Sequence, residues 1–407
     1  MSNDKGSNQK DNERGIPYML QHFLSDKTKL SPRSGPSPLP VHLGLAMAAK
    51  GLDVSAAPEN NLLLQDMIKG IQLYQTHPYR RQMRPFKEVW RRGEVSLGYC
   101  AAYSEVDDMP RKKPAAHASI ILVPSMINKS YILDLLPQRS LARWLSSQGV
   151  DVYFLDWGNP LDDGDLKSVD DLVAERLTPV IEFVLEQSDL PVFALGYCMG
   201  GTLLLGAVQE NSERLSGLIL LASPWDFHVG EQPLTRNVCN GLSIASEMMN
   251  NNNYLPAEWI QSVFAAVNAD RAADKFSGFQ DMDQDSERAE LFVAVEDWLN
   301  DPVHLPKRLA EQCLCDWYRD NKPMLGQWVV NGEVVRISKV KTKSLIVCSP
   351  KDRLVPDRSS RILLDKLCDA QMLVPDTGHI GMIAGNSSLD QVWKPMLKWM
   401  IKSAQST

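Results

Sequence analysis

A cysteine flanked by glycines is the residue of this sequence best suited to act as a nucleophile. Cys198 stands in Leu195-Gly-Tyr-Cys-Met-Gly-Gly201, after the apolar run 192–195 and before the helix-like run 202–208. A nucleophile on a tight strand-to-helix turn needs small neighbours, because larger side chains would collide with the backbone. The turn also places the thiol at a helix N-terminus, where the helix dipole favours thiolate. We therefore predict that Gly196, Gly200 and Gly201 form a nucleophile elbow around Cys198.

Two further residues follow Cys198 in an order that completes a catalytic site. Asp352 lies after the apolar run 344–348, and His379 lies between glycines after the last predicted strand. In α/β-hydrolases the nucleophile precedes the acid, and the acid precedes the histidine. His379 is the one histidine of the sequence that follows the acid. Asp357 and Asp376 stay open as alternative acids, although one follows a proline and the other is very close to His379 in the chain.

These residue types fit acyl transfer through a covalent intermediate. His379 would deprotonate Cys198, while Asp352 would fix the imidazole tautomer and stabilise the imidazolium. The backbone N–H of Met199 and one from the loop 124–128 would stabilise the oxyanion. The alternative is that Cys198 is a buried structural cysteine, and the order of its partners argues against this.

The choice of cysteine over serine carries information about the substrate. A serine converts a thioester into a less reactive oxoester, whereas a cysteine exchanges one thioester for another and keeps the acyl group reactive. This suits transfer of an acyl group from coenzyme A to an alcohol, provided that water is excluded. The chemistry of the nucleophile therefore favours a transferase over a hydrolase.

Short apolar runs alternate with helical patterns from about residue 93 onward. The predicted strands are separated by helices such as Leu133–Ser147, Val169–Glu186 and Gly201–Gln209, which indicates βαβ units. Because the strands are apolar throughout, we expect a mostly parallel sheet covered on both faces. The fold class predicted is α/β, of the α/β-hydrolase type, with a helical cap insertion and a helical N-terminal extension.

The domain boundaries follow from changes in composition. We predict a disordered tail over 1–37, a helical N-terminal segment over 38–114 that leads into the first strand, and a core over 115–222 and 341–402. The helical texture between the core segments predicts a cap or lid over 223–340 that excludes water.

Bulk composition limits the partners and the compartment. The net charge of −7 gives no reason to expect nucleic acid. Seven scattered cysteines form no metal-binding pattern and favour a reducing, cytoplasmic location, so no metal site is predicted. The apolar run Val192–Val208 carries no charge but is shorter than the roughly 20 residues that a membrane span requires, and the N-terminus has no apolar signal core. We therefore expect that the protein is not an integral membrane protein.

Several motifs together resemble the polyhydroxyalkanoate (poly-3-hydroxybutyrate) synthases, nearest their short, two-subunit (class III) branch. The resemblance covers about 115–400. The motifs are Val123-Pro-Ser-Met-Ile-Asn-Lys-Ser-Tyr-Ile-Leu-Asp-Leu-Leu-Pro137, Val152-Tyr-Phe-Leu-Asp-Trp-Gly158, Gly196-Tyr-Cys-Met-Gly-Gly201, Ser223-Pro-Trp-Asp-Phe227, Asp352-Arg-Leu-Val-Pro356 and Gly378-His-Ile-Gly381. Trp298-Leu-Asn-Asp-Pro-Val-His-Leu-Pro306 is similar to the cap-to-core return of that family. The first 110 or so residues match nothing in the short branch.

The resemblance implies a specific reaction and specific roles. It implies an acyltransferase that polymerises (R)-3-hydroxyacyl-CoA, releases CoA and holds the chain as a thioester on Cys198. It implies the triad Cys198, Asp352 and His379, with Met199 and Ile127 as backbone oxyanion donors. It implies no cofactor beyond the coenzyme A thioester substrate. The partners implied are the polyester or its granule surface, and a second synthase subunit or a homodimer.

Two other functions stay open on the sequence. One is a Cys-dependent hydrolase, either a polyester depolymerase or a thioesterase, which would release free hydroxy acid. The other is a non-catalytic granule-binding protein on the same fold, which would not react with an acyl-CoA.

Overall fold

A twisted β-sheet forms the centre of the molecule. The computed structural model describes residues 31–49, 62–104, 115–230 and 232–405. Within this part of the chain an eight-stranded sheet has the order β1-β2-β4-β3-β5-β6-β7-β8. Its strands are β1 Lys87–Arg92, β2 Val95–Cys100, β3 Ala118–Val123, β4 Val150–Asp156, β5 Val192–Tyr197, β6 Gly217–Leu221, β7 Ser344–Val347 and β8 Ala370–Leu373.

The central strands are parallel, and the first two run against them. Strand β1 pairs antiparallel with β2, and β2 pairs antiparallel with β4. All pairs from β4 to β8 are parallel, for example Ile121 of β3 opposite Ala194 of β5. The carboxyl ends of β3, β5, β6 and β7 therefore lie along one edge of the sheet, and loops that leave these strands can meet there.

Alternation along each strand divides the core into two layers. In β3, Ile121 and Val123 belong to one apolar cluster, whereas Ile120 and Leu122 belong to the cluster on the opposite face. All six residues of β3 and all six of β5 are buried. Continuous burial explains why these strands are apolar throughout, as is typical of a parallel sheet covered by helices on both sides.

Helices connect the strands and fill the segment between β6 and β7. In chain order they are α1 Leu39–Ala49, α2 Leu62–Thr76, α3 Leu141–Ser147, α4 Val169–Leu172, α5 Thr178–Gln187, α6 Met199–Ala207, α7 Pro233–Asn252, α8 Ala257–Val267, α9 Ala269–Gln280, α10 Glu287–Leu299, α11 Lys307–Glu311, α12 Lys322–Leu325, α13 Asp357–Arg361, α14 Leu363–Lys366, α15 Gly381–Ala384 and α16 Lys394–Ala404. Residues Val173–Leu177, Gln312–Arg319 and Leu389–Trp393 are π-helical. Helices α7 to α12 belong to the segment predicted as a cap.

A β-hairpin was missed within the segment predicted as helical, 38–114. Strands β1 and β2 are joined by Gly93, which has a φ of +59°, and Glu94. Asp163 accepts the backbone N–H of Glu94 at 3.2 Å and is itself paired with the buried Arg176 at 3.0 Å. None of the six β1 residues is buried, so this charged edge strand lacks the apolar alternation that reveals a strand.

The helix predicted over Leu133–Ser147 is also shorter than expected. Residues Asp134–Leu136 and Arg139–Ser140 form a small antiparallel ladder, and the helix begins only at Leu141. Ser140 is its N-cap and accepts the backbone N–H of Arg143 at 3.0 Å. Asp134 explains the difference. Its carboxylate accepts hydrogen bonds from the Ser140 hydroxyl at 2.6 Å and from the Arg143 side chain at 2.8 Å, and these bonds keep Asp134 outside the helix.

The N-terminal helices pack on the segment between β6 and β7. Buried residues of α2, including Met67, Ile71 and Tyr74, meet Phe276 and Phe279 of α9 in a third apolar cluster. Residues 31–37 also contact this region: the Arg33 side chain pairs with Asp297 of α10 at 2.5 Å. The rest of the predicted tail, 1–30, lies outside the described residues, as do 50–61 and 105–114 of the N-terminal segment.

Candidate active site

Cys198 occupies a sharp turn between β5 and α6. Its φ of +54° and ψ of −128° lie in a region that non-glycine residues rarely adopt. The turn is held by two backbone hydrogen bonds, from Cys198 N–H to the Leu221 carbonyl at 2.9 Å and from Gly201 N–H to the Cys198 carbonyl at 3.0 Å. Such a conformation costs on the order of 1–3 kcal/mol and persists only where the surrounding structure enforces it. The half-buried thiol is presented at the edge of the sheet.

The predicted elbow glycines are required by close backbone approach. A Cβ on Gly196 would overlap the backbone of Gly201, and a Cβ on Gly200 would overlap the carbonyl oxygens of Val123 and Pro124 at the end of β3. At Gly201 a Cβ would collide with Ser223, whose hydroxyl donates to the Gly196 carbonyl at 3.2 Å. Glycine at these positions lets the elbow sit directly against the neighbouring strand ends.

His379 and Asp352 meet at the same edge. His379 Nδ1 lies 2.7 Å from Asp352 Oδ2, and both side chains are buried. The other oxygen of Asp352 accepts the backbone N–H groups of Leu354 and Val355, both at 2.9 Å. The carboxylate therefore has a fixed orientation, and its hydrogen bond makes Nδ1 the protonated nitrogen of a neutral His379 ring.

The two alternative acids are occupied by other partners. Asp357 pairs with Arg361 at 2.8 Å, one helical turn further along α13. Asp376 pairs with Lys351 at 2.9 Å, and both side chains are largely exposed. The structure thus brings Asp352, rather than Asp357 or Asp376, into contact with His379.

Cys198 lies close enough to His379 to raise the pKa of its ring, so the three side chains form one group. Burial lowers the pKa of His379, but the charges of Asp352 and Cys198 and the hydrogen bond to Asp352 more than offset this effect. The pKa of His379 is therefore raised well above its usual value. The arrangement favours the imidazolium form of His379, which is the form expected after the ring takes the thiol proton.

Tyr197 is a neighbour of the site that the sequence analysis did not single out. Its ring packs against the His379 ring with 5.2 Å between centroids, and its hydroxyl donates to the His379 carbonyl at 3.4 Å. Burial, followed by the charges of Cys198 and Asp352, raises the pKa of Tyr197. The phenol consequently stays neutral and supports the imidazole ring. Its only sequence signal was an aromatic residue next to the nucleophile.

A narrow apolar cavity is lined by Met199, the residue that follows the nucleophile. About 410 Å³ of space there, open solvent included, is not filled by protein atoms, and the lining comes from both the core and the segment between β6 and β7. The predicted oxyanion donors Met199 and Ile127 both line it. Within the described residues, neither of their backbone N–H groups donates a hydrogen bond to a protein acceptor, so both are available to a ligand. The other lining residues are Met126, Leu234, Val238, Leu255, Trp259, Ile260, Val263, Phe264, Leu305, Cys313, Leu314 and Tyr318.

The family model of the alpha/beta hydrolase fold matches residues 119–385. The chain belongs to this family. A solved structure supports the same fold: a soluble variant of monoglyceride lipase from Saccharomyces cerevisiae, 15% identical, aligns with a TM-score of 0.54 over 80% of this chain and 98% of the lipase. The predicted α/β-hydrolase fold, with its mostly parallel sheet, is confirmed.

Curated relatives of this α/β-hydrolase are polymerase subunits. The poly(3-hydroxyalkanoate) polymerase subunit PhaC of Haloferax mediterranei is 26% identical over 70% of this chain, which spans 59% of that relative's length. The subunit of the same name from Allochromatium vinosum is 25% identical over 72% of this chain and 83% of its own length. The resemblance to polyhydroxyalkanoate synthases is therefore confirmed.

The described part of this α/β-hydrolase has neither a candidate metal site nor a candidate membrane-spanning helix. Its described residues contain no group of three or more His, Cys, Asp or Glu side chains placed to hold a metal ion. Its described helices include none with the length and apolar character of a bilayer span.

Proposed function

We propose that the chain is an acyltransferase that polymerises (R)-3-hydroxyacyl groups from their coenzyme A thioesters. The observation that carries this proposal is the grouping of Cys198, His379 and Asp352, together with an apolar cavity lined by Met199, the residue after the nucleophile. The printed names of the relatives, poly(3-hydroxyalkanoate) polymerase subunits, supply the substrate class. The fold alone is compatible with many acyl-transfer and hydrolytic reactions.

In the first half-reaction, His379 accepts the proton of Cys198, and the thiolate attacks the thioester carbonyl. The backbone N–H groups of Met199 and Ile127 stabilise the oxyanion of the tetrahedral intermediate. When the intermediate collapses, the carbon–sulfur bond to coenzyme A breaks, and the imidazolium returns its proton to the departing thiolate. Free CoA and an acyl thioester on Cys198 result.

In the second half-reaction, the 3-hydroxyl group of an acceptor acyl chain loses its proton to His379 and attacks the Cys198 thioester. An ester bond forms, the carbon–sulfur bond to Cys198 breaks, and the proton on His379 returns to the Cys198 sulfur. Because the acyl-enzyme is itself a thioester, it stays reactive enough to acylate an alcohol. The apolar cavity favours an alcohol over water as the acceptor, since water gains little in an apolar lining.

We further propose that residues 115–222 and 341–402 form the catalytic core and that 223–340 acts as a cap. The cavity lining supports this division, because Trp259, Leu305 and Tyr318 come from the proposed cap, whereas Ile127 and Met199 come from the core. The word subunit in the relatives' names supports a second synthase subunit as a partner. Action in the cytoplasm, at the surface of a polymer granule, follows from the proposed product.

Product analysis tests the proposed function. Purified protein is incubated with (R)-3-hydroxybutyryl-CoA, with and without a candidate partner subunit, and both free thiol and products are measured. We expect release of CoA together with an oligomeric or polymeric ester. Free 3-hydroxybutyrate as the main product would identify a hydrolase, and no CoA release in either mixture would contradict the acyltransferase assignment.

Asp352→Asn tests the role of the acid. The amide keeps the size of the side chain but removes its charge and favours the wrong imidazole tautomer, so we expect the acylation rate of Cys198 to fall by about 10²- to 10⁴-fold. Asp376→Asn is the matched control, because Asp376 is exposed and pairs with Lys351, and its rate should stay within about twofold of the wild type. Equal losses in both variants would refute the assignment of Asp352.

A further inference from the structure

Two tryptophans hold the ends of the loop that carries Ile127. The loop comprises residues 124–129 and follows β3. At its start the indole N–H of Trp157 donates to the Pro124 carbonyl at 3.0 Å, and at its end the indole N–H of Trp298 donates to the Lys129 carbonyl at 2.8 Å. Both tryptophans are buried, with 3% and 6% of their surface exposed. A buried indole has one donor, and here each is used to fix a loop carbonyl.

Trp157 fixes the loop against the nucleophile elbow. It lies directly after β4, and the carbonyl that it binds, that of Pro124, is one of the groups that crowd Gly200. The start of the loop, the Trp157 indole and the first turn of α6 are therefore packed together. A shift of Pro124 would change the distance between the loop and the Met199 end of the proposed oxyanion hole.

Trp298 fixes the loop from the segment between β6 and β7. It stands in the last turn of α10, and the chain after it runs antiparallel to the loop. Asn128 and Pro302 form a β-bridge, and the backbone N–H of Val303 donates to the Ile127 carbonyl at 3.2 Å. The proposed cap thus holds the carbonyl of Ile127, the residue whose N–H is the proposed donor, and through Trp298 it also holds the end of the loop.

We propose that Trp157 and Trp298 are positioning residues that keep the Ile127 backbone N–H in place for the oxyanion. Trp298 makes this placement depend on the docked segment 223–340, so the oxyanion hole is complete only when that segment contacts the core. The inference rests on the proposed function only in requiring that Cys198 be acylated. It does not require that a polymer be made.

The variant Trp298→Phe keeps an aromatic ring but removes the indole donor. Acylation of Cys198 by p-nitrophenyl acetate, measured as the burst of p-nitrophenol, is expected to slow by about tenfold, because small displacements of a transition-state donor are costly. Alkylation of Cys198 by iodoacetamide should keep its rate, because that reaction needs the thiolate but forms no oxyanion. If Trp298 only stabilised the fold, its replacement would slow acylation and alkylation to the same extent.

Trp393→Phe is the matched control. Trp393 is equally buried, yet its indole N–H has no hydrogen-bond partner within the described residues, so this variant removes the same atoms without removing a bond. Its burst rate should stay within about twofold of the wild type. Trp157→Phe removes the donor at the other end of the loop and provides a second test if Trp298→Phe does not fold. It should show the same separation of acylation from alkylation.

Three outcomes decide the inference. Slower acylation with unchanged alkylation in the Trp298 or Trp157 variant supports it. Acylation within twofold of the wild type in both variants overturns it, and so does a parallel loss of both reactions, which would indicate general damage to the site. A wild type that is acylated by the p-nitrophenyl ester but not by (R)-3-hydroxybutyryl-CoA refutes the proposed substrate and leaves the tryptophan test fully interpretable.

Discussion

Replacing Cys198 by alanine is expected to reduce CoA release from (R)-3-hydroxybutyryl-CoA by at least about a thousandfold, because no nucleophile remains to form the acyl-enzyme. Cys313 lines the same cavity, but burial raises the pKa of its thiol, so it stays protonated and cannot substitute. CoA release is followed with a thiol reagent. The variant is compared with the wild type only if both elute at the same volume from a size-exclusion column.

Cys368→Ala is the control for this experiment, because Cys368 is exposed and lies outside the site. Its activity should match that of the wild type. Continued CoA release by Cys198→Ala, with acyl label on Cys313 or on a serine, would contradict the assignment of the nucleophile.

Replacing His379 by glutamine is expected to abolish turnover and also to change the reactivity of Cys198 with pH. The raised pKa of His379 means that the imidazolium is present at acid and neutral pH and is lost only as the pH rises through that raised value. Below it, the ring beside the Cys198 sulfur is positively charged. Iodoacetamide should therefore alkylate Cys198 faster at pH 6 in the wild type than in His379→Gln, because a positive charge beside a sulfur favours attack by its anion.

Without the imidazolium, alkylation at pH 6 should slow by about a hundredfold. Mass spectrometry of the Cys198 peptide between pH 5 and 10 measures both profiles. His117→Gln is the control, because His117 precedes β3 at the opposite edge of the sheet and should not alter the profile. Identical profiles for wild type and His379→Gln would show that the ring does not stabilise the thiolate.

The parts of the site that depend on local geometry could be predicted from the sequence. The nucleophile elbow could be predicted, because a side chain at Gly196, Gly200 or Gly201 would collide with residues close to Cys198 in the chain or with the end of the adjoining strand. The choice among Asp352, Asp357 and Asp376 could not be made from order alone. It depends on which carboxylate contacts His379 and on the cations, Arg361 and Lys351, that engage the other two.

The residues that support the site were not predicted, because their roles depend on contacts between distant parts of the chain. Trp298 and Lys129 are 169 residues apart, and Tyr197 and His379 are 182 apart. In a single sequence, a tryptophan whose indole fixes a loop carbonyl does not differ from one that only fills the core. Trp157 lies within a motif that carried the resemblance, yet the motif does not reveal what its indole binds.

In the fold, too, local patterns could be predicted from the sequence, whereas contacts between distant residues could not. Buried strands such as β3 and β5 were evident because both faces are apolar. The β1–β2 hairpin was not, because β1 is charged and exposed and is held by a turn that Asp163 stabilises from a distant position in the chain. The cap prediction rested on helical texture, and the structure places helices α7 to α12 in that segment.

Rapid quenching followed by mass spectrometry of the Cys198 peptide tests whether Cys198 carries the acyl group during turnover. After brief mixing with (R)-3-hydroxybutyryl-CoA, we expect one 3-hydroxybutyryl group on Cys198 that neutral hydroxylamine removes, as is typical of a thioester. CoA release with an unmodified Cys198, or with the acyl group on another residue, would contradict it.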